Sequence, residues 1–281
     1  MDRSIPKRIT LMKAVLLYVF LALGGGLMVL PFYWMMVTSV SPVTDITAFP
    51  PRWIPSHLVP EHYHDAFRSA PFGRYYLNSL LVALGSVGTS VLFGLLAGYA
   101  FVVYRFPLRD FFFLLILSTI MIPFQVTSVS LYMMLSKMGW VDTYWGILAP
   151  NLGSALGMFL IRQSIKSVPM DLIEAARLDG AGEMRIVFTI VAPVIKTALA
   201  TVILILFLGS WNDFLWPLIV INSPELRTVP LGLSLFKDPY GGMNYGPLMA
   251  ASVIATLPML IAYVFSQRYV IEGIAITGLK G

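Results

Sequence analysis

The chain of 281 residues contains no cysteine, so it can form no disulfide and offers no thiolate to a metal or to an electrophile. Charge is scarce as well: Asp, Glu, Lys and Arg make up only 12% of residues, against about a quarter in an ordinary soluble domain. Histidine is confined to His57, His62 and His64 in one polar stretch, and their spacing lacks the carboxylate or Cys partners of a recognisable metal pattern. A polar surface loop is the simpler reading of that stretch, and no metal is expected. The patterns G-x-x-x-x-G-K-[ST], H-E-x-x-H and G-x-S-x-G are all missing. Their absence argues against an ATP-binding loop, a zinc protease and a hydrolase nucleophile in this chain.

What is present is apolar: 58% of residues are hydrophobic and the mean hydropathy is +0.80. Crossing about 30 Å of hydrocarbon takes about 20 residues of helix. Residues 14–44, 75–104, 111–136, 143–161 and 239–267 are free of charge, and 197–224 contains only Asp213. Runs such as F-F-F-L-L-I-L at 111–117 do not alternate as a membrane β-strand would. The expected fold class is therefore an all-α membrane protein with six transmembrane helices, at about 14–37, 76–103, 111–134, 143–164, 196–221 and 246–268. The basic N-terminus precedes an apolar run longer than a signal-peptide core, which reads as an uncleaved first span. Placing both termini inside puts thirteen Lys and Arg on the cytoplasmic side and six outside, in keeping with the positive-inside rule. That bias and anionic lipid headgroups account for the net charge of +5, and nucleic-acid binding is not needed.

Residues 1–74 then comprise the N-terminal tail, the first span and an outer loop whose six prolines argue for ordered irregular structure, with a short helix near Glu61–Arg68. Residues 75–270 hold the other five spans, and 271–281 form a cytoplasmic tail. The outer segment 222–246, rich in Pro and Gly, reads either as a loop that reaches a partner or as a passive connector. No internal repeat is visible, which disfavours folds built from inverted halves.

The loop 165–195 stands out as a charged island between apolar segments. Pro169 suits a helix start, and Asp171 and Glu174 suit the positive end of its dipole, which predicts a helix to Leu178. Gly180 supplies the left-handed turn that ends it, and Gly182 opens a second helix over about Glu183–Val191, closed by Pro193. A helix so short is marginal alone, so contacts must hold it. Docking into a partner's cleft competes with lying on the lipid interface; the mixed acids and bases favour docking.

Inside the spans, Asp213 invites an ion-coupled carrier, but it lies about 22 Å up a 30 Å core and lacks a basic partner. With Trp211 and Asn212 it reads either as lining a translocation path or as capping a helix end. Asn78, Gln125 and Asn151 face inward, either bonding between helices or touching solute. Pro123, Pro150, Pro217 and Pro258 are expected to break or kink their helices.

Glu174, Ala175, Ala176, Gly180, Ile190 and Pro193 match the spacing of the signature in membrane subunits of bacterial ABC importers, with Ala192 where the pattern has Leu. Further stretches extend the likeness over nearly the whole chain: L-N-S-L at 77–80, Y-R-F-P at 104–107, M-I-P-F-Q at 121–125, R-Q at 162–163, W-N-D-F-L-W-P-L at 211–218 and Q-R-Y-V-I-E-G with G-L-K-G in the tail. The chain thus resembles carbohydrate-uptake permeases of the maltose-permease type. That resemblance implies a type I importer permease fold in the bacterial inner membrane, a second homologous permease, two ATP-binding subunits that hold ATP and Mg, and an extracytoplasmic substrate-binding protein. It also implies that Glu174, Ala175, Ala176, Arg177, Leu178, Asp179, Gly180, Ala181 and Gly182 form an ATPase-coupling helix, that the chain is not itself an enzyme, and that its solute is a sugar, an oligosaccharide or a glycerol phosphate. A self-sufficient carrier or channel using Asp213 is the rival.

Overall fold

The computed structural model describes residues 7–236 and 244–278, and every regular element among them is helical. Residues 237–243 of the 222–246 segment and residues 279–281 of the tail fall outside the described residues. The chain divides into two units, one made of residues 1–70 and 236–254, the other of 71–235 and 255–281.

The first unit begins with α1 (Lys7–Ser39), followed by the single turn α2 (Val43–Ile46) and by α3 (Glu61–Ser69), close to the helix expected there. The proline-rich loop between them is ordered by its own polar groups. The buried Asp45 accepts hydrogen bonds from the Ser56 backbone N–H at 2.7 Å and from Arg52 at 2.9 Å. Hydrogen bonding from Ser56, with the Arg52 charge adding to it, holds the Asp45 carboxyl below the usual carboxylate range. Trp53 stacks on Tyr33 and meets Trp34 edge-on, while the Tyr33 hydroxyl donates to the Trp53 carbonyl. His62 is buried with Nε2 at 2.9 Å from the Ser41 carbonyl, so this imidazole serves the fold. Among the described residues no three His, Cys, Asp or Glu side chains gather where an ion could sit.

The second unit is organised on α4 (Phe72–Val103). After it come α5 (Arg109–Ser118), α6 (Phe124–Lys137), α7 (Tyr144–Leu148), α8 (Ala155–Ile165), α9 (Met170–Leu178) and α10 (Glu183–Arg185). A π-helical stretch, Ile186–Val191, carries α10 into α11 (Ala192–Val194), and α12 (Lys196–Trp211), α13 (Leu215–Val220) and α14 (Val229–Leu233) follow; α15 (Tyr245–Gly278) belongs to the first unit up to residue 254 and to the second from residue 255. Polar side chains start two of these helices: Thr143 accepts from the Gly146 N–H ahead of α7, and Ser154 from the Gly157 N–H ahead of α8.

Small residues at four-residue spacing, Ser86, Ser90, Gly94 and Gly98, run along α4. A Cβ added at Gly94 would sit 2.8 Å from Ile161 Cδ1, and one at Gly98 would sit 3.2 Å from the Arg162 backbone nitrogen, so the glycines let α8 approach closely. Arg162, at the end of that contact, is buried with its guanidinium 3.7 Å above the Phe113 ring.

Three helices are long and apolar enough to cross a membrane: Lys13–Ser39, Phe72–Val103 and Tyr245–Tyr269. Three more candidates are bent pairs, so the described residues offer up to six spans by length and composition. The expected span 111–134 is divided between α5 and α6, which meet at 100° beside Pro123. The 143–164 span is divided between α7 and α8, bent by 42° after the 3-10 turn that holds Pro150. An 89° bend separates Glu183–Val194 from α12, two residues past Pro193. Pro217 lies within α13, and the interruption precedes it at Asn212–Phe214; Pro258 lies inside an uninterrupted α15.

Candidate functional site

The island is a helix, a turn and a second helix fixed to the core by half of its own surface. Pro169 caps α9 in extended backbone (φ −59°, ψ 128°), and the Ala181 N–H reaches back to the Ala176 carbonyl at 2.9 Å to close its end. Gly180 takes φ +78°, the left-handed conformation that glycine adopts without steric cost. Ile173 and Ala176 point inward and join a cluster with Leu95 and Tyr99 of α4, Ile161 and Ile165 of α8, and Ile186, Val187 and Val191. The other face is open: Leu178 is 89% exposed, and Leu172, Glu174, Ala175, Asp179 and Met184 are exposed with it.

Arg177 is spent within the chain. Its guanidinium makes a two-pronged pair with Glu183, Nε to Oε1 at 2.8 Å and the second nitrogen to Oε2 at 3.1 Å. The Tyr99 hydroxyl donates to Glu183 Oε2 at 2.6 Å, and Arg177 lies 5.7 Å from the Tyr104 ring centre. The Arg177 pair, and after it the Tyr99 bond, draw the Glu183 carboxyl down to about 2, and the same pair raises the Arg177 pKa. Sequence reasoning did not find this network, because Tyr99 and Glu183 are 84 residues apart and no local pattern links them.

A second feature of the same unit is a cavity of about 890 Å³ between α4, the α5–α6 break, the start of α8 and the end of α12. Its polar wall comes from Ser86, Ser90, Thr119, Thr127, Asn151, Ser154, Ser210 and Asp213. Of the six residues singled out for a translocation path, only Asn151 and Asp213 line it. Asp213 also accepts the Trp216 N–H at 3.3 Å, which caps the start of α13. Trp211 is 2% exposed, stacks on Phe207 and donates to the Ala255 carbonyl. Asn212 donates to the Leu208 carbonyl at 2.8 Å, closing the end of α12.

Asn78 is fully buried and structural. It donates to the Glu225 and Arg227 carbonyls and accepts from the Tyr144 hydroxyl, tying the chain after α13 to α4. Gln125 is exposed beside the α5–α6 break and is absent from the cavity wall. The hydroxyls of Ser86, Ser90 and Ser210 were overlooked because single serines in apolar spans pass for packing residues. The four-residue spacing of Ser86, Ser90, Gly94 and Gly98 was the available signal.

Residues 90–275 match the family described as "Binding-protein-dependent transport system inner membrane component". The chain belongs to that family. It is 38% identical over 228 residues to the arabinooligosaccharides transport system permease protein AraQ of Halalkalibacterium halodurans, covering 81% of each. It is 32% identical over 274 residues to the sn-glycerol-3-phosphate transport system permease protein UgpE of Brucella abortus, covering 92% of this chain and 95% of that one. Among solved structures, a bacterial ABC transporter involved in the import of the acidic polysaccharide alginate superposes with a TM-score of 0.80 over 96% of this chain and 99% of its own, at 22% identity. At that identity the likeness establishes the importer permease fold of this inner membrane component. Both relatives are named as transport system permease proteins.

Proposed function

We propose that this chain is one of two permease subunits in an ATP-driven importer of a carbohydrate solute, a sugar, an oligosaccharide or a glycerol phosphate, handed over by an extracytoplasmic binding protein. ATP and Mg belong to two partner ATPases, each permease receiving one. The island faces the cytoplasm together with both termini, and its open face, around Glu174, Ala175, Leu178 and Asp179, seats in a groove of the ATPase. The observation that carries this reading is the split surface of α9: Ile173 and Ala176 bind it to the chain's own core while Leu178 is left almost entirely uncovered. An apolar side chain held out on a fixed helix, rimmed by Glu174 and Asp179, suits an interface between proteins. The substrates named for the arabinooligosaccharide and glycerol-phosphate relatives support the solute class.

The test is gentle solubilisation from the native membrane, purification, and identification of co-purifying chains by mass, repeated with Glu174→Lys. An ATPase and a second permease are expected with the parent, and the ATPase is expected to be lost or weakened with the variant. A chain that purifies alone in both preparations and transports without ATP would replace this reading with a self-sufficient carrier.

A further inference from the structure

Hydroxyls in the second unit commonly return to a backbone carbonyl one turn away, as Thr89, Ser128 and Thr201 do. Ser86 and Ser210 do not. Both hydroxyl oxygens are shielded and without a hydrogen-bond partner, although both residues stand on the cavity wall. Ser86 is only 4% exposed. A buried hydroxyl left unpaired costs free energy unless a bound molecule or water completes it. The same wall adds Asp213, for which no ion pair exists among the described residues, and it holds no Lys or Arg. Its apolar part includes Ile122, Phe124 and Leu206. The volume lies toward the upper end of the roughly 300–1,000 Å³ of small-molecule sites and exceeds what one sugar ring needs.

We infer that this cavity admits electrically neutral saccharides and turns away phosphorylated and uronic ones, a specificity that rests on the importer reading only for the arrival of a solute at the cavity. Sugar hydroxyls both donate and accept, so a neutral saccharide can bond the open side of Asp213, and the Ser86 and Ser210 hydroxyls, shielded as they stand, have no bond to give up in turning toward it. A phosphate or uronate would instead bring a second negative charge beside that carboxylate, in surroundings that screen it far less than water and with no cation on the wall to offset it.

The lack of cysteine in this chain makes the wall directly readable. Gly209 lines the cavity, and a Cβ added there meets nothing within 4 Å; the same is true of Gly153, which serves as a second position if the first variant is poorly made. Gly209→Cys, in the intact purified complex, is labelled with a cationic and an anionic methanethiosulfonate of similar size, each rate being divided by that for a free thiol and corrected for the parent complex. The cationic reagent is expected to be favoured about tenfold, falling toward parity when Asp213→Asn is added. Arabinotriose or maltotriose is expected to slow labelling, and trigalacturonate or sn-glycerol 3-phosphate is not. Equal or preferred labelling by the anion, protection by the acidic compounds, or no protection by either neutral sugar would each overturn the inference. Because the readout needs no ATP turnover, its failure is separate from a failure of the co-purification test.

Discussion

The island and the cavity wall belong to the same unit and treat polar groups in opposite ways. On the island Arg177 grips Glu183, and Glu183 accepts from Tyr99, so the helix pair is tied together and to α4, and what the outer surface offers is a fixed shape with Leu178 at its tip. In the cavity the surroundings are largely apolar, and although Ser90, Thr119, Thr127 and Ser154 are bonded within the chain, the Ser86 and Ser210 hydroxyls are unpartnered. A surface meant for one protein partner gains from settling its hydrogen bonds in advance, since less order is lost on association. A surface meant for a small hydroxylated solute keeps its donors and acceptors available, at some cost in stability.

The contrast is broken most severely by Gly180→Val. A β-branched residue at φ +78° strains the turn by at least about 1–2 kcal/mol, and the empty space around Gly180 means the effect is conformational and not a clash. Coupled transport in proteoliposomes is expected to fall more than tenfold, while Gly182→Ala, at φ −69°, stays near the parent. Next in size is Asn78→Ala, which strands the half-buried Glu225 and Arg227 carbonyls and the Tyr144 hydroxyl. About 2–4 kcal/mol is expected, read as a lower thermal unfolding midpoint in detergent.

Glu183→Gln sharpens the comparison with a smaller change. The folded carboxyl titrates at about 2, below its ordinary 4.5, so its stabilisation is complete above pH 4.5 and drains away as pH falls toward 2. The parent is therefore expected to lose stability relative to the variant over that window. With the Glu183 side chain 40% exposed, water screens the pair and the difference is about 1 kcal/mol or less. Least of all, Ser210→Ala is expected to shift the unfolding midpoint by the equivalent of no more than about 0.5 kcal/mol in the unliganded complex, because that hydroxyl has no partner to lose. A marked destabilisation there would mean that the cavity wall is as internally satisfied as the island.

Local chemistry made part of this legible. The proline start of α9, its end before Gly180 and the left-handed glycine follow from residues within one turn of one another, and the structure has each of them. The apolar segments were equally plain, and Pro123 marked a break. Its 100° size and the 89° bend after Pro193 depend on how distant helices pack. Asn78 was read as facing inward with two possible uses, and only contacts nearly 150 residues away decide that it ties down backbone. Asp142 passed unnoticed as one charge in a short link. In the structure it accepts from the Asn222 and Ser223 N–H groups and from the Ser223 hydroxyl, which hold its carboxyl below the usual range, Ser223 most of all.

Ile173 and Ala176 share one cluster with α4 and α8, and Glu183 is bonded to Tyr99 on α4. The tip is thus joined to α4 through packed side chains and a short hydrogen bond. Displacing Leu178 therefore means disturbing the cluster that α9 shares with α4.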